Sequence, residues 1–263
     1  MNCSPLAITI ALLFASFASA ETPQSLRVLS YNIHHCEGSD GKVDLPRIAK
    51  VIKSAAPDVV LLQEVDRHVA RSGNIDQAVE IGRLTGMHVA FGGNLKIREG
   101  DYGNAILSRY PLRDVENRQL PNSNGGEPRG VLSVVVTVPN AEGEQDCRIL
   151  ATHFDHRPAP VDRLASVDDI EQWLSTENRL VVLGGDFNAT QVSSVLEQIR
   201  KSWRLAVDGQ KPTFPATTPS RQIDFISYRS PAPIQVSEVR VLDEAVASDH
   251  RPILATLILA GDQ

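Results

Sequence analysis

The chain is 263 residues long with 42% hydrophobic content, enough to bury one substantial core, and it falls in the range of a single large α/β domain. A formal net charge of -6 excludes the basic footprint by which proteins hold nucleic acid stoichiometrically, though not an enzyme that needs positive charge only at its site. No repeat, heptad or low-complexity tract interrupts it.

Residues 6–20 are almost wholly apolar and uncharged, and they end in Ala18, Ser19 and Ala20 before Glu21. Small residues there are what a signal peptidase reads, and the stretch is shorter than the roughly 20 residues that span a bilayer. Residues 1–20 are therefore expected to be a cleaved signal peptide. Residues 21–263 are expected to be one exported domain, secreted or periplasmic, monomeric and without a transmembrane span.

Residues 26–33 read as a buried strand and 45–56 as a helix with Pro46 near its first turn. A second buried strand is expected at 59–65, a helix at 75–85 ending at Gly86, and strands at 88–91 and 104–108 around a glycine-containing loop. Residues 111–128 read as a loop, and 129–138 with 148–154 as a hairpin whose turn lies in 139–146. An amphipathic helix at 161–174, a strand at 180–183 and a helix at 192–201 follow. After a loop at 208–222, the chain ends in strands at 223–228, 234–242 and 253–259. Strands joined both by hairpins and by helices indicate two mixed sheets packed face to face and covered by helices.

Polar residues recur at the ends of these apolar strands. Asn32 closes the first in LSYNIHH, Glu64 the second in VVLLQEVD, and His153 ends RILATHFDH; Asp186 and Asn188 follow VVLGG, Asp224 lies in RQIDFI, and Asp249 and His250 precede the last strand in ASDHRPI. One such case is an ordinary turn. Recurrence of metal ligands, acid/base groups and amides at six places is a site hypothesis.

With YNIH, LLQEVD, GNAILSRYPL, ATHFDH, GGDFNA, TFP followed by QIDFI, and SDHRPI in this order, the sequence resembles the endonuclease/exonuclease/phosphatase superfamily, the DNase I-like metal-dependent hydrolases. The resemblance runs over about residues 26–259. It implies an α/β fold, a four-layered sandwich of two packed mixed β-sheets flanked by helices, and a divalent-metal-dependent phosphoesterase. It also implies roles. Glu64 matches the metal-binding carboxylate, with Asn32 and Asp249 completing or supporting the metal site. His250 matches the catalytic His, oriented by Asp224; Asp186 matches the group that orients or deprotonates the attacking water. Asn188 matches a donor to the phosphoryl oxygens and His153 a second phosphate-contacting His. Oxygen ligands around Glu64 suit Mg²⁺ or Mn²⁺. A buried His and Asp pair is expected to raise the His pKa. Gly184 and Gly185 are expected to lift Asp186 and Asn188 out of the strand end, with the two-residue spacing putting both side chains on one side of an extended backbone.

Arg129 and Arg221 adjoin motif segments and are substrate-binding candidates, with Tyr102 and Asn104 expected to line the cleft. Asp101 and Asp155 are both open as the partner of His153. No G-x-S-x-G elbow, H-E-x-x-H or C-x-x-C occurs, so His34 and His35 read as surface or rim histidines rather than zinc ligands, and His68 and His156 as loop residues. Cys3 leaves with the leader. Cys147 lies six residues before His153, placing it roughly 20 Å back along a strand from the end that Cys36 overhangs, beyond the about 7 Å that a disulfide allows. Both thiols are expected to be unpaired. The expected function is phosphodiester hydrolysis by in-line attack of water, with a phosphate ester as substrate and nucleic acid as substrate only. The rivals are a phosphomonoesterase acting on a sugar or inositol phosphate, and a catalytically silent binding protein on the same scaffold.

Overall fold

The computed structural model describes residues 24–140, 143–206, 209 and 211–259, so the leader expected over 1–20 lies outside the described residues. The elements in chain order are β1 (Ser25–Asn32), α1 (Leu45–Ala55), β2 (Val59–Arg67), α2 (Gln77–Thr85), β3 (His88–Ile97), β4 (Gly100–Ser108), β5 (Arg113–Gln119), β6 (Gly130–Asn140) and β7 (Gly143–His153). They continue with α3 (Val161–Trp173), β8 (Leu180–Asp186), α4 (Ser194–Ile199), β9 (Arg204–Leu205), β10 (Asp224–Arg229), β11 (Ile234–Val241) and β12 (Ile253–Leu259). Among the described residues no helix is long and apolar enough to cross a membrane.

Two crossovers position the site. β1 passes through α1 into β2, and β7 through α3 into β8, and each strand pair is parallel. A parallel pair joined by a helix brings both carboxyl ends to one edge of its sheet. The sheet orders are β11-β12-β1-β2-β4-β3 and β5-β6-β7-β8-β10-β9. Because β12 runs antiparallel to β1 and β10 antiparallel to β8, it is their beginnings that reach the same edge. Asn32 therefore stands beside Gln63, His153 beside Asp186, and Asp186 beside Asp224.

Three apolar layers hold this arrangement. Val28, Leu61, Leu132, Ile149, Val182 and Leu257 meet between the sheets. Leu29, Tyr31 and Leu62 on the outer face of the first sheet pack against Ile48, Ile52 and Ile81 of α1 and α2. Leu150, Val181 and Phe225 pack against Val167, Ile170 and Leu196 of α3 and α4. Burial on both faces is why the central strands read as continuous apolar runs. The result is the helix, sheet, sheet, helix order of a four-layered α/β sandwich. Asp44 caps α1 by accepting from Arg47 N at 2.9 Å, and Asp76 caps α2 by accepting from Val79 N at 3.0 Å. Cys36 and Cys147 are buried free thiols, one in the core beneath α1 and one between the sheets.

Four local expectations change. The loop at 111–128 contains β5, an edge strand whose sequence RDVENRQ is mostly exposed; its pairing with β6 makes it a strand, and charged edge residues carry no apolar alternation to read. The expected strands 88–91 and 104–108 extend into a full hairpin of β3 with β4. The helix at 192–201 shortens to α4, capped by Ser193, and the short β9 follows it. Finally, β8 runs straight through Gly184 and Gly185 to Asp186. Asn188 has φ 46°, so it is a left-handed turn, not extended spacing, that sets its direction.

Gly185 serves a different purpose: its φ is 151°, and a Cβ there would lie 1.8 Å from the Thr152 carbonyl oxygen on β7. Gly185→Ala should push β8 away from β7 and cost roughly 1–3 kcal/mol. Urea unfolding checks this, and an unchanged midpoint would contradict the close approach.

Candidate active site

A defect in β2 aims Glu64. The register against β4 jumps between Leu62 and Val65, and Glu64 takes φ 60°. A bulge of this kind re-aims a side chain. Here it turns the carboxylate onto Asn32, whose Nδ2 donates to Glu64 Oε1 at 2.8 Å and to Asp186 Oδ2 at 3.2 Å, tying the two sheets together.

Asp186, only 2% exposed, is the meeting point. Its Oδ1 accepts from Asn188 N at 2.9 Å, while Oδ2 lies 3.4 Å from His153 Nε2 and 3.7 Å from His250 Nε2. Burial, and then repulsion from Asp224, pushes its pKa well above the usual carboxylate range, against the pull of His250. The turn expected on composition is real, and it is also what fixes Asn188: the side-chain Nδ2 donates to Phe154 O at 3.1 Å.

The two imidazoles beside Asp186 are in opposite states. His250 Nδ1 lies 2.9 Å from Asp224 Oδ2, which also accepts from Thr213 Oγ1 at 2.5 Å, and the Phe214 ring packs 4.8 Å from the imidazole. Burial alone would lower the His250 pKa. The charges of Asp224 and Asp186, the hydrogen bond to Asp224 and the charge of Asp249 outweigh it and carry the pKa up to about 10. His153 Nδ1 lies 2.9 Å from Arg129 Nη1. A guanidinium only donates, so Nδ1 accepts, while Nε2 stands 3.0 Å from the Asn188 side-chain amide nitrogen and 3.4 Å from Asp186 Oδ2. Burial, then the Arg129 charge, holds the His153 pKa well below the ordinary imidazole value. Neither acid left open as its partner takes that place: Asp101 pairs with Arg67 and Lys96, and Asp155 with Arg157.

These groups line a cleft of about 450 Å³. Of the expected residues, Glu64, Tyr102, Arg129, His153, Asp186, Asn188, Arg221 and His250 form its walls. Asn32 and Asp224 are buried beneath as hydrogen-bond supports. One expectation fails on placement. Asn104, 1% exposed, donates from Nδ2 to Gly130 O at 2.9 Å and joins β4 to β6 instead of lining the cleft, because it lies opposite the bulge in β2. Asp249 is not among the residues that line the cleft; its carbonyl accepts from Ala216 N at 2.7 Å and its carboxylate from Ser248 Oγ at 3.4 Å, and the same Ser248 hydroxyl lies 2.8 Å from Asn32 O.

Other residues join the site unannounced. Glu127, His156, Ala189, Thr190, Phe214 and Ile223 complete the cleft wall. His156, expected in a loop, stands with Nδ1 3.2 Å from Arg129 Nη2, and Arg129 pairs with Glu127 at 3.0 Å. The signal for Phe214 and His156 was their position inside the TFP and ATHFDH segments. His34 and His35, expected at the surface or rim, group with Glu64, and Asp186, Asp224 and His250 form a second, fully buried group.

Strand-end acids, amides and imidazoles gathered on two packed mixed sheets define a hydrolase of phosphoric esters. Residues 29–250 match the Endonuclease/Exonuclease/phosphatase family, and the chain belongs to that family. It is similar to the uncharacterized protein YbhP of Escherichia coli K12, at 27% identity over 250 residues covering 89% of this chain and 97% of that one. It is also similar to a 5'-tyrosyl-DNA phosphodiesterase of Caenorhabditis elegans, at 25% identity over 214 residues covering 76% and 55%. Among solved structures, the endonuclease/exonuclease/phosphatase from Beutenbergia cavernae superposes with a TM-score of 0.74 at 27% identity, covering 90% of this chain and 72% of that one.

The His250 pKa has a stability consequence. The folded value, about 10, lies above the unfolded value of 6.5, so the stabilisation is complete below pH 6.5 and is lost as pH rises through about 10. The stability difference between the protein and its His250→Gln variant should therefore be largest below pH 6.5 and shrink steadily toward pH 10. Denaturant melts across that range measure it, and a difference independent of pH would contradict a charged His250.

Proposed function

We propose that the protein is a divalent-metal-dependent phosphodiesterase that directs water in line onto phosphorus. The observation that carries this reading is the placement of one buried carboxylate, Asp186, between a cationic imidazole, His250, and a neutral one, His153. Phosphoryl transfer asks for alignment and for charge where charge develops. The His250 imidazolium, the His153 ring and the Asn188 amide meet the phosphoryl oxygens, with Arg129 and Arg221 on the cleft wall. Asp186 orients the water and takes its proton, a role its raised pKa suits near neutrality. Asp224 keeps His250 charged and turned toward the cleft.

Glu64, with Asn32 beside it, would hold the cation. The donor set fits: a half-buried carboxylate aimed into the cleft, with one ring nitrogen each of His34 and His35 within 4.8 Å of a carboxylate oxygen. A divalent cation there supplies positive charge to the phosphoryl oxygens and lowers the pKa of water.

A diester is favoured over a monoester because a second hollow of about 110 Å³ is lined by two residues of the cleft wall, Thr190 and Arg221, a place for a second ester arm. The similarity to a 5'-tyrosyl-DNA phosphodiesterase supports the same choice.

Hydrolysis of bis-p-nitrophenyl phosphate and p-nitrophenyl phosphate, with Mg²⁺, Mn²⁺ or EDTA, tests this. The diester should be preferred and EDTA should stop turnover. Asp186→Asn and Glu64→Ala should each lower kcat by at least about 10²-fold with the fold retained. Preference for the monoester would move the assignment to a sugar or inositol phosphatase; undiminished turnover in either variant would overturn the mechanism.

A further inference from the structure

Immediately after β1, His34, His35 and Cys36 take φ values of 44°, 42° and 64°, three consecutive non-glycine residues in the left-handed region. Such a conformation persists only where the surroundings hold it. Several hydrogen bonds do so. His34 N donates to Asn32 Oδ1 at 3.1 Å, Cys36 N to Ile33 O at 2.7 Å, and Gln77 Nε2 of α2 to His35 O at 2.6 Å, while Gln77 Oε1 accepts from Asp66 N at 2.9 Å, just past the bulge that carries Glu64. The turn and the bulge are therefore braced against each other. One ring nitrogen of His34, one of His35 and a carboxylate oxygen of Glu64 all lie within 4.8 Å of one another.

A single residue, Glu37, sets the state of both rings. Its carbonyl oxygen lies 3.3 Å from His34 Nδ1, and its carboxylate Oε2 lies 3.3 Å from His35 Nε2. Each of those oxygens can only accept, so each of those ring nitrogens carries the proton. The opposite nitrogens, His34 Nε2 and His35 Nδ1, are left with bare lone pairs. His35 is 6% exposed, and its Nδ1 is buried with no hydrogen-bond partner. An imidazole with one N–H held by a carbonyl or carboxylate and the lone pair of its other nitrogen free is the arrangement seen in metal-ligating histidines.

Resting on the reading above that Glu64 holds a divalent cation, we propose that His34 and His35 join it as nitrogen ligands, making a two-imidazole, one-carboxylate site that selects a later transition-series cation such as Co²⁺ or Zn²⁺ over Mg²⁺. Mg²⁺ takes oxygen ligands and retains its waters, whereas imidazole suits the later divalent metals. Glu37 is then a positioning residue, fixing both tautomers without touching the ion.

The test measures metal retention by the intact mature protein, with turnover excluded from the readout. Equilibrium dialysis against Zn²⁺ in about a hundredfold excess of Mg²⁺, followed by metal analysis, should leave close to one Zn²⁺ per chain. The His34→Gln, His35→Gln double variant should weaken Zn²⁺ retention by at least roughly tenfold, and Glu64→Gln should weaken it as well. On the unaltered protein, which removes any question of variant folding, Co²⁺ should shift and broaden the ring-proton resonances of His34 and His35. Those of His88, which lies at the opposite end of the first sheet, should stay unmoved. Zn²⁺ retention unchanged in the double variant, or His34 and His35 resonances insensitive to Co²⁺, would overturn the site. A working diesterase that binds Mg²⁺ and ignores the histidines would overturn this inference alone, whereas selective Zn²⁺ binding without ester hydrolysis would overturn only the phosphodiesterase reading.

Discussion

A carboxylate withdrawn from water must be met by donors or give up its charge, and Asp186 is the carboxylate on which this molecule concentrates that demand. It is 2% exposed, and the groups that answer it come from both sheets: the Asn32 amide from the first, the Asn188 backbone and the His153 ring from the second, and His250 from the segment that leads into β12. Removing any of these leaves a buried charge short of a partner. The site is therefore part of what holds the two sheets in register.

That convergence follows from strand direction. Each sheet contains one parallel pair made by a helical crossover, and the two pairs end at the same edge, where antiparallel β10 and β12 begin. Side chains at such an edge leave the apolar core without leaving the scaffold. They are rigidly held yet open to a ligand, and the β2 bulge and the Asp186 to Asn188 turn make the final adjustment of aim. The same edge sorts protons. Two acids around His250 keep it cationic, while burial and then the Arg129 charge keep the His153 ring neutral, so one carboxylate faces two imidazoles with different charge and complementary uses.

Much of this could be read in the sequence wherever a long apolar strand ended in a polar residue. Asn32, His153 and Asp186 were placed that way, because burial on both faces makes such strands conspicuous; Glu64, read as a strand end, instead sits at a bulge within β2, which runs on to Arg67. Features set by partners elsewhere in the fold were hidden. β5 is a strand only because β6 pairs with it. Asn104 lies at a strand position that suggests a cleft wall, but the bulge opposite turns it into a tie between sheets. The Arg129 to His153 pair joins residues 24 apart, and no local pattern announces it. His34 and His35 looked peripheral because non-glycine residues rarely take the left-handed turn that brings them back to Glu64.

Anomalous diffraction from crystals grown with Mn²⁺ and inorganic phosphate would locate both the ion and the anion. The ion is expected against Glu64, with the phosphate in the cleft touching His250, His153 and Asn188. An ion seated among Asp186, Asp224 and His250 with Glu64 unengaged, or a phosphate bound outside the cleft, would contradict the division of labour described for this edge.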